Sequence, residues 1–128
     1  MDKITYITTD KSPKAIGPYS QAIKYRNFIF CSGQISLSPR NGKVIGKTIE
    51  GQTEQAIKNL LHILKATGSS LNKVLKTTVY LKNIEDFVKF NKVYEKYFSK
   101  YKPARTTVAV ANLPKDALIE IEAIAVAD

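Results

Sequence analysis

The run near the C-terminus, Leu118-Ile119-Glu120-Ile121-Glu122-Ala123-Ile124-Ala125-Val126, limits this chain's possible folds more than any other. Its β-branched content and period of two read as a strand. Ile119, Ile121, Ala123 and Ala125 fall on one side, and Leu118, Ile124 and Val126 fall on the other beside Glu120 and Glu122. A strand apolar on both sides is expected to be covered on both. Elsewhere the chain offers two helical segments, and two helices cover only one face of a sheet of about six strands. The second face is therefore expected to be covered by identical subunits.

The two helices are plain in the spacing. Over residues 52–67, Ala56, Ile57, Leu60, Leu61 and Leu64 recur every three or four positions, with Glu50 near the start and Gly68 placed to end the helix. Over 84–99 the stripe is Phe87, Phe90, Tyr94, Tyr97 and Phe98. Asn83 is the expected cap, Glu85 and Asp86 fill the first turn, and Pro103 blocks continuation. Strands are expected at 3–7, 20–25, 28–34, 74–82, 104–111 and 117–126, with loops or turns at 11–19, 26–27, 38–42 and 112–116. The order is β-β-β-α-β-α-β-β, an α+β arrangement with both helices on one face of a mixed sheet. Residues 103–126 read as a terminal hairpin turning at 112–116.

All 128 residues form one domain's worth of chain, and 44% hydrophobic with 24% charged residues is an ordinary globular balance. Cys31 is the single cysteine, so no intramolecular disulfide can form, and within Phe28-Ile29-Phe30-Cys31 it reads as a small buried hydrophobe in a reducing compartment. The residues following Met1 show no basic region leading into an apolar stretch, and no apolar run approaches the roughly 20 residues of a membrane span. A cytoplasmic location with no membrane association is expected. The formal charge of +9 comes from 17 lysines and only Arg26, Arg40 and Arg105. The lysines are dispersed and the planar arginine fork is scarce, which disfavours nucleic-acid recognition and reads as a solvated surface. With His62 alone, a histidine-pair ribonuclease mechanism is impossible within one chain, and no His/Cys metal cluster or phosphate-cradling glycine loop is present.

Four places could carry chemistry. Alternation puts Arg105, Thr107 and Ala109 on one side of their strand, and a hairpin would bring Arg105 near Glu120 and Glu122. The outcome is either a cross-strand ion pair or a site in which arginine grips a carboxylate and glutamate handles water or a proton. Asn91 lies on the apolar stripe of its helix, where a buried amide must bond to backbone or reach a ligand. In Gly17-Pro18-Tyr19-Ser20, the glycine and proline fix Tyr19 at a strand's edge, as a packing residue or a site residue. Ser32-Gly33-Gln34 ends a strand, and Gly33 would let a ligand approach the backbone.

Taken together, Gly17-Pro18-Tyr19-Ser20-Gln21-Ala22, Ser32-Gly33-Gln34-Ile35, Lys76-Thr77-Thr78-Val79-Tyr80-Leu81, Asp86-Phe87 with Phe90-Asn91, and Pro103-Ala104-Arg105-Thr106-Thr107-Val108 through Leu113-Pro114 to Ile119-Glu120-Ile121-Glu122 resemble the RidA/YjgF family. The similarity runs along essentially the whole chain. It implies a chorismate-mutase-like α+β fold and a homotrimer with sites between subunits. It also implies hydrolysis of 2-iminopropanoate or 2-iminobutanoate to the 2-keto acid and ammonia, with no cofactor and no metal. The alternatives are an RNA-directed endoribonuclease or translation inhibitor, as relatives have been described, and a catalytically silent small-carboxylate sensor or chaperone. By this resemblance Arg105 holds the substrate carboxylate and Glu120 positions water and moves protons. Tyr19, Ser32, Gly33 and Asn91 line the pocket, with the backbone at Thr107. Several bacterial relatives carry cysteine where this chain has Thr107; water attack on an electrophilic imine carbon does not require that thiol.

Overall fold

A computed structural model describes residues 2–127; Met1 and Asp128, the ends of the expected 1–128 domain, lie outside the described residues. The elements are β1 (Ile4–Ile7), β2 (Ala22–Tyr25), β3 (Phe28–Gln34), α1 (Ile49–Ala66), β4 (Val74–Leu81), α2 (Phe87–Phe98), β5 (Ala104–Ala109) and β6 (Ile119–Val126). They form one six-stranded sheet in the order β1-β2-β3-β6-β4-β5. Only the β4–β5 pair is parallel. The mixed sheet, the two helices and the element order are as the sequence predicts.

The C-terminal hairpin is not. β4 stands between β5 and β6, pairing parallel with the first and antiparallel with the second. β4, α2 and β5 form a strand–helix–strand unit, and a helical crossover returns the chain parallel to the strand it left. β5 alternates exposed and half-buried residues, which suits an edge. β6 alternates fully buried with half-buried residues and takes the centre, flanked by β3 and β4. A strand apolar on both sides belongs where neighbours cover it.

The helix boundaries also differ. α1 begins at Ile49 because the Thr48 hydroxyl accepts the Gly51 N–H at 3.1 Å and Ile49 is buried. Its buried stripe runs Ala56, Ile57, Leu60, Ile63 and Leu64, while Leu61 is only half-buried. At its far end Gly68 takes φ +84°, and the N–H groups of Gly68 and Ser69 reach the carbonyls of Lys65 and Leu64. Residues Ile84–Asp86 form a 3₁₀ turn in which the Asn83 side chain makes no capping bond, and α2 proper starts at Phe87. Phe90, Tyr94 and Phe98 stack along α2 with centroids 5.4 and 4.5 Å apart. The Tyr97 hydroxyl donates to Glu54 of α1 and joins the two helices.

Both helices cover the sheet face carrying Ile29, Val79, Leu81, Ile119, Ile121 and Ala125, all fully buried. Among the described residues no helix covers the opposite face. Register places Tyr6, Phe30 and Ile124 along it, and Ile4, Tyr25, Phe28 and Val126. Phe28 and Phe30 remain 46% and 45% exposed, so this face is apolar and open. Among the described residues no helix is long and apolar enough to cross a membrane.

Candidate active site

Glu120 sits on the open face, where β3 departs from its ladder with β6. Cys31 pairs with Ala123 and Gln34 with Ile121, so Ser32 and Gly33 together oppose the single residue Glu122. This bulge lets the Glu120 side chain fold over the backbone of residue 33. A Cβ there would lie 2.8 Å from the Glu120 carboxyl carbon and 2.9 Å from one of its oxygens, a collision that only glycine avoids. The space that Gly33 leaves open is thus filled by the chain's own carboxylate. The Ser32 hydroxyl donates to the Ser20 carbonyl at 2.5 Å and fastens the bulge to the loop before β2.

That loop is held by Gln21, whose buried amide donates to the carbonyls of Thr9 and Pro13 and accepts the Thr9 N–H. Tyr19 folds back on Gly17, with its N–H on the Gly17 carbonyl at 2.8 Å and its ring half-exposed. Tyr19, Ser32, Gly33 and Glu120 line one cavity of about 380 Å³, with Ile16, Leu37 and Lys115 on its other walls. Burial first, and the charge of Glu122 second, hold the Glu120 carboxyl above the usual carboxylate range.

Arg105 belongs to the other face. It registers with Thr77 of β4, which is fully buried under the helices with its hydroxyl 2.7 Å from that of Tyr94. Glu120 registers with Tyr80, an odd number of residues away on the same strand. Alternation therefore puts Arg105 and Glu120 on opposite faces, and the cross-strand ion pair is excluded. The Arg105 guanidinium lies 4.7 Å from the Tyr94 ring centroid and 5.5 and 5.6 Å from those of Phe90 and Phe87. One of its nitrogens donates to Asn91 Oδ1 at 2.7 Å. Asn91 is half-buried on a cavity wall, and its Oδ1 is spent on orienting the arginine. Burial raises the Tyr94 hydroxyl, against smaller lowering effects from Thr77 and Arg105.

Asn91, Tyr94 and Arg105 line a second cavity of about 360 Å³ beside Phe98 and Pro103, on the edge strand. Thr107, two residues along the same side of β5, keeps a buried hydroxyl without a hydrogen-bond partner. The seven expected residues therefore gather as two half-sites: Tyr19, Ser32, Gly33 and Glu120 on one face, and Asn91, Arg105 and Thr107 on the other.

Sequence reasoning missed Tyr94 and Lys115. The stripe hides Tyr94 among phenylalanines, although a hydroxyl in a buried stripe signals a needed partner. Lys115 gives no such signal; it lines the Glu120 cavity at a left-handed φ of +54°, with its ammonium donating to the Gly42 carbonyl at 3.3 Å. Cys31 is buried and its thiol is pushed up to about 12, which removes it as a nucleophile. Among the described residues no three His, Cys, Asp or Glu side chains gather as a metal donor set.

Comparison with known proteins gives one family, whose members carry several functional names. The profile of the family described as Endoribonuclease L-PSP matches residues 9–127. A RutC family protein of Pyrococcus horikoshii is 56% identical over 119 residues, covering 93% of this chain and 94% of its own. The human protein named 2-iminobutanoate/2-iminopropanoate deaminase is 46% identical over 120 residues, covering 94% of this chain and 88% of its own. Among solved structures, yeast Mmf1 superposes with a TM-score of 0.95 at 40% identity over 98% of this chain and 100% of that one. TdcF of E. coli, solved with bound serine, gives 0.92 at 37% identity over 97% and 99%.

Proposed function

This chain belongs to the Endoribonuclease L-PSP family, also called RidA/YjgF, and from that premise we propose that it is a deaminase hydrolysing small 2-imino acids to 2-keto acids and ammonia. The observation that carries the reading is the Glu120 carboxyl: half-buried, held in the space left by Gly33, raised in proton affinity and facing a cavity. A carboxyl poised this way can take a proton from water as it attacks the C=N carbon and return one to the departing nitrogen. Water oxygen forms the new C–O bond, and both its protons pass to nitrogen, one on attack and one as the carbinolamine collapses to the keto acid, so that the C–N bond breaks and ammonia leaves. The substrates we assign are 2-iminopropanoate and 2-iminobutanoate, which arise from enamines such as 2-aminoacrylate; the human relative's name supports this class, and the serine bound to TdcF supports a site for a small amino-acid-like anion.

Arg105 holds the substrate carboxylate in this reading. Its stack on Tyr94 and its bond to Asn91 fix the guanidinium before substrate arrives. The two half-sites lie on opposite faces of one sheet, so a substrate of a few heavy atoms cannot touch both within one chain. A second copy whose β5 edge lies over the Glu120 cavity brings them together. Such a contact joins different patches, and closure of a head-to-tail contact makes a ring. We assign a homotrimer, whose interior the apolar open face would supply.

Complementation tests both the chemistry and the assembly. Arg105→Ala and Glu120→Gln should each abolish the acceleration of keto-acid formation in an assay coupled to a dehydratase. Co-refolded in equal amounts, the two inactive variants should recover about a quarter of the wild-type rate, since a quarter of the head-to-tail interfaces then pair an intact arginine with an intact glutamate. No recovery, with mixed rings present by native mass spectrometry, sinks the shared site.

A further inference from the structure

Glu122 is a second carboxylate on the open face, two residues from Glu120, and the proposed reaction leaves it unused. The strand register places Glu120 opposite Tyr80 and Glu122 opposite Thr78. The Tyr80 hydroxyl nevertheless donates diagonally to Glu122 Oε1 at 2.8 Å. One carboxylate is given a donor, and its neighbour receives none from any described side chain. Both carboxylates are half-buried, but Glu120 tucks against Gly33 and lines the cavity.

We propose that Glu122, anchored by Tyr80, is a positioning residue that makes Glu120 the proton-carrying member of an unequal carboxylate pair. The inference rests on the deaminase reading for its purpose, not for its physics. Two carboxyls in different surroundings divide the acid and base roles between them. Like charge on adjacent same-face positions disfavours ionisation of the more desolvated one, and the charge of Glu122 is the second cause, after burial, that raises Glu120. The same contact acts on Tyr80, whose hydroxyl holds its proton more tightly because Glu122 accepts it.

Other charged groups around the pair do not cancel this. From β4, Lys76 donates to Thr106 at 3.1 Å, and Lys82, just beyond that strand, pairs with Asp116 at 2.6 Å. From the loops, Lys14 and Lys115 stand on the cavity wall. From β3, Ser32 and Gly33 bring no charge. Within one chain the unequal pair thus depends on one phenol and one carboxylate. The Arg105 guanidinium that the proposed assembly sets over the cavity lowers Glu120 in every variant alike, so the test reads the change between variants.

The test is a carbon-13 titration of the Glu120 carboxyl in the full assembly, beside the pH profile of kcat/KM for imine hydrolysis. In Glu122→Gln the Glu120 midpoint should move to lower pH, and the rate limb that belongs to Glu120 should move with it. In Tyr80→Phe, a milder change, the Glu122 carboxylate loses its anchor, and the Glu120 midpoint should move by less than in Glu122→Gln. An unmoved Glu120 midpoint in both folded variants overturns the inference. A midpoint that moves in a protein without imine hydrolysis upholds the coupling and removes the deaminase reading, so the two failures are distinct.

Discussion

The two half-sites reach readiness by opposite routes. Arg105 is held by contacts: three aromatic rings beneath it and an amide oxygen at 2.7 Å. Glu120 is held by an absence, the missing Cβ at Gly33, and by burial that no hydrogen-bond donor among the described side chains offsets. A group bound by many partners is fixed in position and charge, which suits gripping a substrate whose form does not change. A group with space and no donor keeps its proton exchangeable, which suits chemistry. The difference teaches that, in the proposed reaction, binding and proton transfer are built separately, on opposite faces of one sheet.

That division can be broken kinetically. The largest expected effect is Glu120→Gln, which should lower kcat by about 10²- to 10⁴-fold, the usual range for a positioned acid–base group, with KM little changed. Arg105→Ala should instead act through KM, raised by about 10- to 100-fold in proportion to a charge-assisted hydrogen bond of about 1.5–3 kcal/mol, which removes nearly all acceleration at the low imine concentration of a dehydratase-coupled assay. Steady-state kinetics on 2-iminobutanoate check both. If Glu120→Gln acts on KM and Arg105→Ala on kcat alone, the roles are reversed. Gly33→Ala comes next. Its Cβ would displace the Glu120 carboxyl, and a misplacement of about 1 Å costs on the order of 10²-fold in rate. Thermal stability should hold or rise, because alanine loses less backbone entropy than glycine in a strand. A variant inactive only because it unfolds would be visible in the same melt.

How far the sequence reveals this division follows from what each residue needs. β6 is legible because burial on both sides leaves a pattern in one short segment, and α1 because its spacing is regular. The place of β5 is not legible: nothing in 104–109 says that β4 will come between it and β6, since strand order depends on partners distant in the chain. The pairing of Arg105 with Glu120 in sequence reasoning fails for that reason, although scarcity marks the arginine and a carboxylate in an apolar strand marks the glutamate. Gly33 is legible as a point of close approach, but the group approaching it, Glu120, is far away in sequence. Tyr94 is hidden because a hydroxyl-bearing ring reads like its phenylalanine neighbours until Thr77 and Arg105 arrive from other strands.

A smaller effect separates the aromatic stack from its polar handle. Tyr94→Phe keeps the ring beneath Arg105 but strands the buried Thr77 hydroxyl at 2.7 Å from nothing. The loss should be about 1–3 kcal/mol of stability, the cost of an unsatisfied buried group, with KM almost unchanged. Urea titration and steady-state kinetics on one preparation check this; a large rise in KM would mean that the hydroxyl itself contacts substrate.

The smallest effect concerns stability and pH, and its sign follows from the Glu120 environment. Burial and the Glu122 charge raise the folded-state affinity of Glu120 for its proton. The folded state therefore binds that proton more tightly than the unfolded chain does, whose glutamates titrate at about 4.3. The stabilising contribution is complete below that value and disappears as pH rises through the higher folded midpoint. Once ionised, the carboxylate weakens the fold that holds it, a cost expected of a desolvated group. Glutamine carries no such dependence. The melting temperature of Glu120→Gln minus that of wild type should therefore climb with pH across this window and level off above it. A difference that stays flat from about pH 4 to pH 8 would mean that Glu120 titrates as if in water. The half-site built on an absent Cβ would then hold a carboxylate no more poised than any on the surface.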